Sequence, residues 1–111
     1  MKKIEATIAS SRLDEIKHRL FEVGARGLTM SEVRRFLRPD GAPAADGNPL
    51  GVDSVAKVSV QIVVDDEMVH PIVEAILAAA RRDGGDEGQI YISTINEVIR
   101  IRTGERGFEA L

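Results

Sequence analysis

Two arginines separated by one residue are the side chains best suited to chemistry in this chain. Arg100 and Arg102 lie in the run Val98–Glu105, whose alternation of apolar and basic residues predicts a β-strand. Residues two apart on a strand point to the same face, so both guanidinium groups are expected to project together. Each can donate paired, charge-assisted hydrogen bonds to phosphate, which makes a polyanion the expected ligand. The alternative is an edge strand with solvated charges that discourage edge pairing.

The composition excludes several functional classes. The chain has 111 residues, 43% of them hydrophobic and 30% charged, as expected for one globular domain. A net charge of −3, with one Tyr and no Trp, argues against nucleic-acid binding. The absence of Cys excludes disulfides and thiolate chemistry. No apolar run reaches the roughly 18 residues of a membrane span, and no signal peptide is evident, so we expect a cytoplasmic protein without membrane insertion.

Hydrophobic periodicity predicts strands and helices in the order βαββαβ, with an extra break near Asn96 that divides the last strand in two. The predicted elements are a strand over Lys3–Ser10, a helix over Leu13–Val23 capped by Ser10–Ser11 and ended by Gly24, strands over Leu28–Leu37 and Lys57–Val64, a helix capped by Asp65–Asp66, and short strands over Gln89–Ile95 and Glu97–Arg102. This order indicates a ferredoxin-like α+β sandwich, a single domain over residues 1–111. Two helices would cover one sheet face, and the bare face favours an oligomer.

Two segments lack any apolar pattern. Arg38–Ala56 contains three Pro, three Gly and three Asp, so it is predicted to be a long loop. Long loops in small domains are usually functional or disordered. Asp83–Gly88 is a short acidic run rich in glycine, whose main-chain N–H groups could form an anion-binding nest.

Several segments in sequence resemble the PII signal-transduction proteins. They are Met1–Ala6, Leu13–Ile16, Phe21–Gly24, Gly27–Val33, Lys57–Val64 and the closing Val98–Glu105. The resemblance implies a homotrimer that binds an adenine nucleotide (ATP, ADP or AMP) in clefts between subunits. It also implies a regulator in nitrogen or carbon metabolism, not an enzyme, whose long loop over 38–56 contacts a partner transporter or metabolic enzyme.

The same resemblance implies a nucleotide site built from matching positions. Gly27, Leu28, Thr29 and Val63 would lie near the adenine. The residues expected near the phosphates are Arg38, Gly88, Gln89, Arg100 and Arg102. Arg38 and Lys57 could also reach a small anionic effector.

The sequence departs from the family pattern at positions that matter for sensing. The family's glutamine, which helps to hold magnesium and 2-oxoglutarate, is replaced by Pro39, which has no side-chain ligand. No Tyr lies between Arg38 and Lys57, so the tyrosine that some members uridylylate is missing. Gln89 replaces a phosphate-binding lysine. We therefore expect that this chain has no residues that bind a metal ion directly, and the sequence does not decide whether Mg²⁺ accompanies the nucleotide. We also expect the most highly charged nucleotide, ATP, to bind more weakly than in the family.

Other interpretations of the sequence are weaker. His18 and His70 lie far apart and are more typical of helix surfaces than of a metal site. The acidic run Asp65–Glu67 fits a helix N-terminus better than a catalytic carboxylate cluster. Two functional alternatives remain at this stage. One is a small phosphate-transferring or hydrolytic enzyme, although Ala9–Arg12 does not supply a convincing phosphate loop, and the other is a structural trimer with a decayed ligand site.

Overall fold

Strands and helices follow one another in the predicted βαββαβ order. The computed structural model describes residues 1–36, 55–81 and 88–111, with only the main chain described at Val55 and Ala56. The elements are β1 (Lys2–Ala9), α1 (Leu13–Glu22), β2 (Thr29–Arg35), β3 (Val55–Val64), α2 (Val69–Ala80) and β4 (Ile90–Thr94). Short 3-10 turns occur at Ser10–Arg12, Asp66–Met68 and Gly107–Ala110.

The four strands form one antiparallel sheet in the order β2-β3-β1-β4. The two central strands, β1 and β3, are distant in sequence, and their register places Ile4 opposite Ile62 and Lys3 opposite Val63. β4 pairs with the other edge of β1, where Ile4 lies opposite Ile92. This is the strand order of the ferredoxin-like sandwich, which confirms the predicted fold.

Strand alternation places the core on one face of the sheet. The buried apolar side chains are Ile4, Ala6, Ile8, Val58, Val60, Ile62 and Val64 from the strands, with Ile16, Leu20, Ile72, Ala75, Ile76 and Ala79 from the helices. A one-residue slip of β3 would turn its four buried side chains toward the opposite face. At about 1.5 kcal/mol or more for each such side chain, the slip would cost roughly 6 kcal/mol. The hydrophobic pattern therefore fixes the register.

The other face of the sheet is polar and carries no helix in the described residues. Lys3, Glu5, Thr7 and Gln61 alternate with the core residues and are half-buried. Ser59 is buried among them, and its hydroxyl donates a hydrogen bond of 3.4 Å to Oε2 of Glu5. The face that was predicted to be bare thus carries no helix among the described residues, and Ser59 and Glu5 pair with each other there.

Each helix ends as its local sequence dictates, with one exception. Gly24 adopts a φ of +106° just beyond α1. Its N–H donates to the Phe21 carbonyl and the Ala25 N–H donates to the Leu20 carbonyl, the paired bonds of a Schellman motif. The Oδ1 of Asp65 accepts the Met68 N–H at 3.2 Å, which confirms that Asp65 caps the second helical segment.

The exception is the start of α1. Ser10 and Ser11 were expected to cap it, but both lie inside a 3-10 turn, and no side chain caps either that turn or α1. The turn itself prepares the helix, because the Leu13 N–H donates to the Ser10 carbonyl. Main-chain geometry therefore replaces the serine cap that the sequence suggested.

The predicted strand over Glu97–Arg102 is wrong. Ile99 forms one isolated antiparallel bridge with Arg106, and Ile101–Thr103 form a turn. Gly104 completes the reversal at a φ of +74°. The Arg100 N–H donates to the Glu105 carbonyl at 2.9 Å. Alternation alone cannot make a strand, because a strand needs a neighbouring strand for its hydrogen bonds; here the segment folds back on itself.

Parts of the two predicted loops lie outside the described residues. Of the loop over 38–56, only Val55 and Ala56 are described, and they begin β3 two residues earlier than expected. In the acidic glycine run, Gly88 alone is described. Neither helix in the described ranges is long and apolar enough to cross a membrane.

Candidate functional site

A cleft of about 680 Å³ lies where the end of α1, the end of β3 and the C-terminal segment meet. It is lined by residues 24–27, residues 62–65, Met68, Arg100, Phe108, Ala110 and Leu111. Three of the predicted nucleotide-binding residues, Gly27, Val63 and Arg100, therefore lie around one cavity. Gly27 is there because the glycine-ended α1 turns the chain back toward β3 before β2 begins.

A second cleft of about 380 Å³ adjoins the first and shares Gly27, Ile62 and Val63 with it. Leu28 and Thr29 also line this second cleft, so all four residues expected near the adenine come together. The register explains the arrangement, since Thr29 lies opposite Gln61 and Lys3 opposite Val63. These side chains occupy the uncovered face of the sheet.

Charge distinguishes these two clefts from the acidic chain as a whole. The charged side chains that line them are Lys3, Arg26, Arg100 and Asp65, three cations against one carboxylate. The Asp65 carboxylate already accepts the hydrogen bond that caps the second helical segment. The clefts are therefore suited to an anion, with main chain and apolar side chains available for an uncharged ring.

Arg100 is held by its own turn. Its Nη1 lies 3.0 Å from Oε1 of Glu105, and its Nη2 donates to the main-chain oxygen of Leu111 at 3.3 Å. The side chains of Arg100 and Glu105 are 37% and 39% exposed, so the pair remains reachable by solvent. The expectation that Arg100 and Arg102 share one strand face is wrong, because Arg102 lies exposed in the turn between Ile101 and Thr103.

The remaining predicted residues lie elsewhere. Gly88 and Gln89 line a cavity of about 240 Å³ between β1 and the end of α2, and none of its described lining residues is shared with the other clefts. Gln89 is fixed there, because its carbonyl accepts the Thr7 N–H at 3.1 Å and its Oε1 accepts from the Tyr91 hydroxyl. Arg38 is outside the described residues.

The possible effector residue Lys57 is half-buried on β3, opposite Val33 of β2. Among the described residues, no three His, Asp or Glu side chains come close enough to hold a metal ion. His18 is exposed on α1, with its Nε2 2.7 Å from Oε1 of Glu22 one helical turn away.

Sequence reasoning missed two residues of this region. Lys3 lines the smaller cleft, and pairing β1 with β3 in the register that buries their apolar faces would have placed it opposite Val63. The second is Glu105, the partner of Arg100, which is the last residue of the run Val98–Glu105 and had no expected role in the site. The sequence feature that could have identified this pair is a carboxylate five residues after an arginine, with Thr-Gly, a typical turn sequence, between them.

The comparisons with known proteins agree on one family. The model of the family described as nitrogen regulatory protein P-II matches residues 1–105. Nitrogen regulatory protein P-II from Nostoc punctiforme is 46% identical over 112 residues, and that from Bradyrhizobium diazoefficiens is 44% identical; each alignment covers 100% of both chains. The solved structure of Arabidopsis thaliana PII bound to citrate has a TM-score of 0.79 at 36% identity, covering 99% of this chain and 91% of that one.

Two glycines of the larger cleft should respond differently to alanine. Gly24→Ala should lower the free energy of unfolding by about 1 kcal/mol or more, because a side chain is strained at a φ of +106°. Gly27 lacks a positive φ of this kind, and an added Cβ would meet no atom within 4 Å, so Gly27→Ala should leave the stability unchanged or slightly higher. Urea unfolding at one fixed chain concentration measures both. An equal loss for the two variants would contradict this assignment.

Proposed function

We propose, from the premise that this chain belongs to the nitrogen regulatory protein P-II family, that it binds an adenine nucleotide between the subunits of a homotrimer. Proteins of this family are regulators and not enzymes. In the proposal, nucleotide binding alters the long loop over 38–56, through which the protein controls a partner transporter or metabolic enzyme of nitrogen or carbon metabolism in the cytoplasm. The hydrolase considered from sequence has no support from this family.

The observation that carries the proposal is the position of Arg100 beside Gly27 and Val63. An adenine nucleotide needs a flat, largely apolar slot whose main-chain groups can meet the edge of the ring, and a cation nearby for phosphate. Gly27, Leu28, Thr29 and Val63 line one cleft, which we take as this slot, and Arg100 lines the cleft that adjoins it.

The separation of Gly88 and Gln89 from that cleft supports a site shared by two chains. These residues directly precede β4, which lies on the far edge of the sheet from β2. The slot lies at the uncovered face, which a second copy would cover. We infer that the Gly88–Gln89 segment of one subunit faces Arg100 of the next, with Arg38 and Arg102 as further phosphate ligands.

A second ligand of anionic character is also part of the proposal. The Arabidopsis protein was solved with citrate, a tricarboxylate, so a relative with the same fold accepts a multiply charged organic anion. In this chain, Arg38 and Lys57 are the proposed cations for such an effector. Pro39 offers no side-chain oxygen to a metal ion, so the proposed effector binds without the metal bridge that the family resemblance implies.

Assembly is the first requirement of the proposal. Light scattering on the purified protein should give about three times the chain mass of 12.1 kDa, because the sheet face that lines the slot needs a partner. The mass should not change when the concentration is lowered to the range used for binding. A stable monomer would contradict the shared site.

Nucleotide binding is the second requirement. Calorimetry with ATP, ADP and AMP should detect binding, and Arg100→Ala should weaken it by about tenfold or more, since a hydrogen bond to a charged group contributes roughly 1.5–3 kcal/mol. We expect a comparable loss for Arg102→Ala. Arg106→Ala is the matched control, because it removes the same charge from an exposed arginine that pairs with Glu97 outside the clefts.

Two results would overturn this assignment. If no nucleotide bound at millimolar concentration, the chain would be a structural trimer with a decayed site. If Arg106→Ala weakened binding as much as Arg100→Ala, the effect would come from net charge and not from the cleft. The trimer mass of each variant, measured alongside, separates loss of binding from loss of assembly.

Titration with 2-oxoglutarate tests whether Pro39 has removed the effector binding that the family resemblance implies. We expect no binding to the magnesium–ATP complex, because Mg²⁺ requires near-octahedral oxygen coordination and Pro39 cannot complete it. Pro39→Gln should restore some affinity if the rest of the pocket permits it. Tight, ATP-dependent binding to the unmodified protein would show that another residue supplies the missing ligand.

A further inference from the structure

We propose that Glu105 sets which adenine nucleotide this site prefers, because it neutralises Arg100 and so penalises each ligand according to its phosphate charge. This inference rests on the proposed function and assigns a role to a residue outside the cleft lining. The chemical class it concerns is a nucleoside mono-, di- or triphosphate.

Arg100 lines the larger cleft, and Glu105 pairs with it. Oε1 of Glu105 lies 3.0 Å from Nη1 of Arg100, so a hydrogen bond joins two opposite charges. A phosphate that binds Arg100 from the cleft therefore meets a cation that is already paired with a carboxylate. The guanidinium keeps most of its five N–H donors, but much of its positive field is cancelled.

Glu105 is fixed in place by its own surroundings as well as by Arg100. Its Oε1 also accepts the Thr103 hydroxyl at 2.9 Å, and its main-chain N–H donates to Thr103 Oγ1 at 3.2 Å. Its carbonyl accepts the Arg100 N–H at 2.9 Å, and the Gly104 N–H closes the same turn onto the Arg100 carbonyl at 2.7 Å. Two of these bonds, from Arg100 and from the Thr103 hydroxyl, reach the carboxylate itself and hold it beside the guanidinium.

The consequence depends on the charge of the ligand. ATP carries more negative charge than ADP, and ADP more than AMP. Repulsion from a fixed carboxylate grows with that charge, whereas hydrogen bonds from Arg100 to the nearest phosphate are available to all three. Glu105 therefore reduces the advantage that ATP would otherwise have, and AMP loses least.

A purely positioning role for Glu105 makes a different prediction. In that case, Glu105 would orient the guanidinium for every nucleotide equally, and its charge would not matter. Glu105→Gln separates the two roles, because glutamine keeps an Oε1 that can accept from Arg100 and Thr103 but removes the negative charge. Glu105→Ala removes both.

Calorimetry of the intact protein with each nucleotide tests the inference. Glu105→Gln should tighten ATP binding by about threefold to tenfold, the size expected for one unit charge about 4 Å away when water screens it, as it does for this solvent-reachable pair. The gain should be smaller for ADP, smallest for AMP, and reduced at higher salt. Glu97→Gln is the matched control: it makes the same change in net charge in an exposed Arg–Glu pair outside the clefts, and should alter each affinity by less than about twofold.

The possible failures are distinguishable. If the unmodified protein binds no nucleotide, the proposed function is wrong and this inference fails with it. If nucleotides bind and Arg100→Ala weakens them, but Glu105→Gln changes all three equally or lowers all three, only the role of Glu105 is wrong. The role of Glu105 would also be wrong if Glu97→Gln tightened nucleotide binding as much as Glu105→Gln, with the same order of ATP, ADP and AMP, because the effect would then come from net charge.

Discussion

The other described strands and the two helices are arranged around the antiparallel pairing of β1 with β3. These strands form the centre of the sheet, and their alternation turns Ile4 and Ile62 toward the helices while Lys3 and Val63 face the other way. The cost of shifting this register, roughly 6 kcal/mol, is comparable to the net stability of a small domain. The same alternation that builds the core therefore fixes which side chains line the smaller cleft.

Local turn chemistry then adds the charge. The Schellman motif at Gly24 brings Gly27 against the end of β3, and the turn around Gly104 holds Arg100 beside the same cleft. Both turns depend on a glycine with positive φ, and the hydrogen bonds of both join residues close together in sequence. The proposed anion site in this acidic chain thus depends on a few residues that the turns hold in place, and not on a general excess of positive charge.

The elements that could be predicted from sequence are those with a strong period. The strands β1 and β3 and the helix α2 follow from alternation and from helical spacing, and Asp65 was recognisable as a cap because carboxylates suit helix N-termini. Val98–Glu105 has an equally regular pattern, yet folds into a turn. A strand needs a neighbouring strand to pair with, which a pattern within one segment cannot reveal.

The candidate site was predictable only in part for a related reason. Gly27, Leu28, Thr29, Val63 and Arg100, which the family resemblance grouped into one site, line two adjoining clefts of one chain. Lys3 and Glu105 were not identified, since their roles depend on cross-strand register and on a turn. Gly88 and Gln89 lie elsewhere in the same chain, which is the arrangement expected if a second subunit completes the site.

A crystal structure of the protein with ADP tests most directly whether two chains form the site. The expected result is a trimer in which Gly27 and Val63 of one subunit contact the adenine, Arg100 contacts phosphate, and the Gly88–Gln89 segment of a neighbouring subunit closes the cleft. ADP held entirely by one chain, or bound away from Arg100, would contradict the shared site.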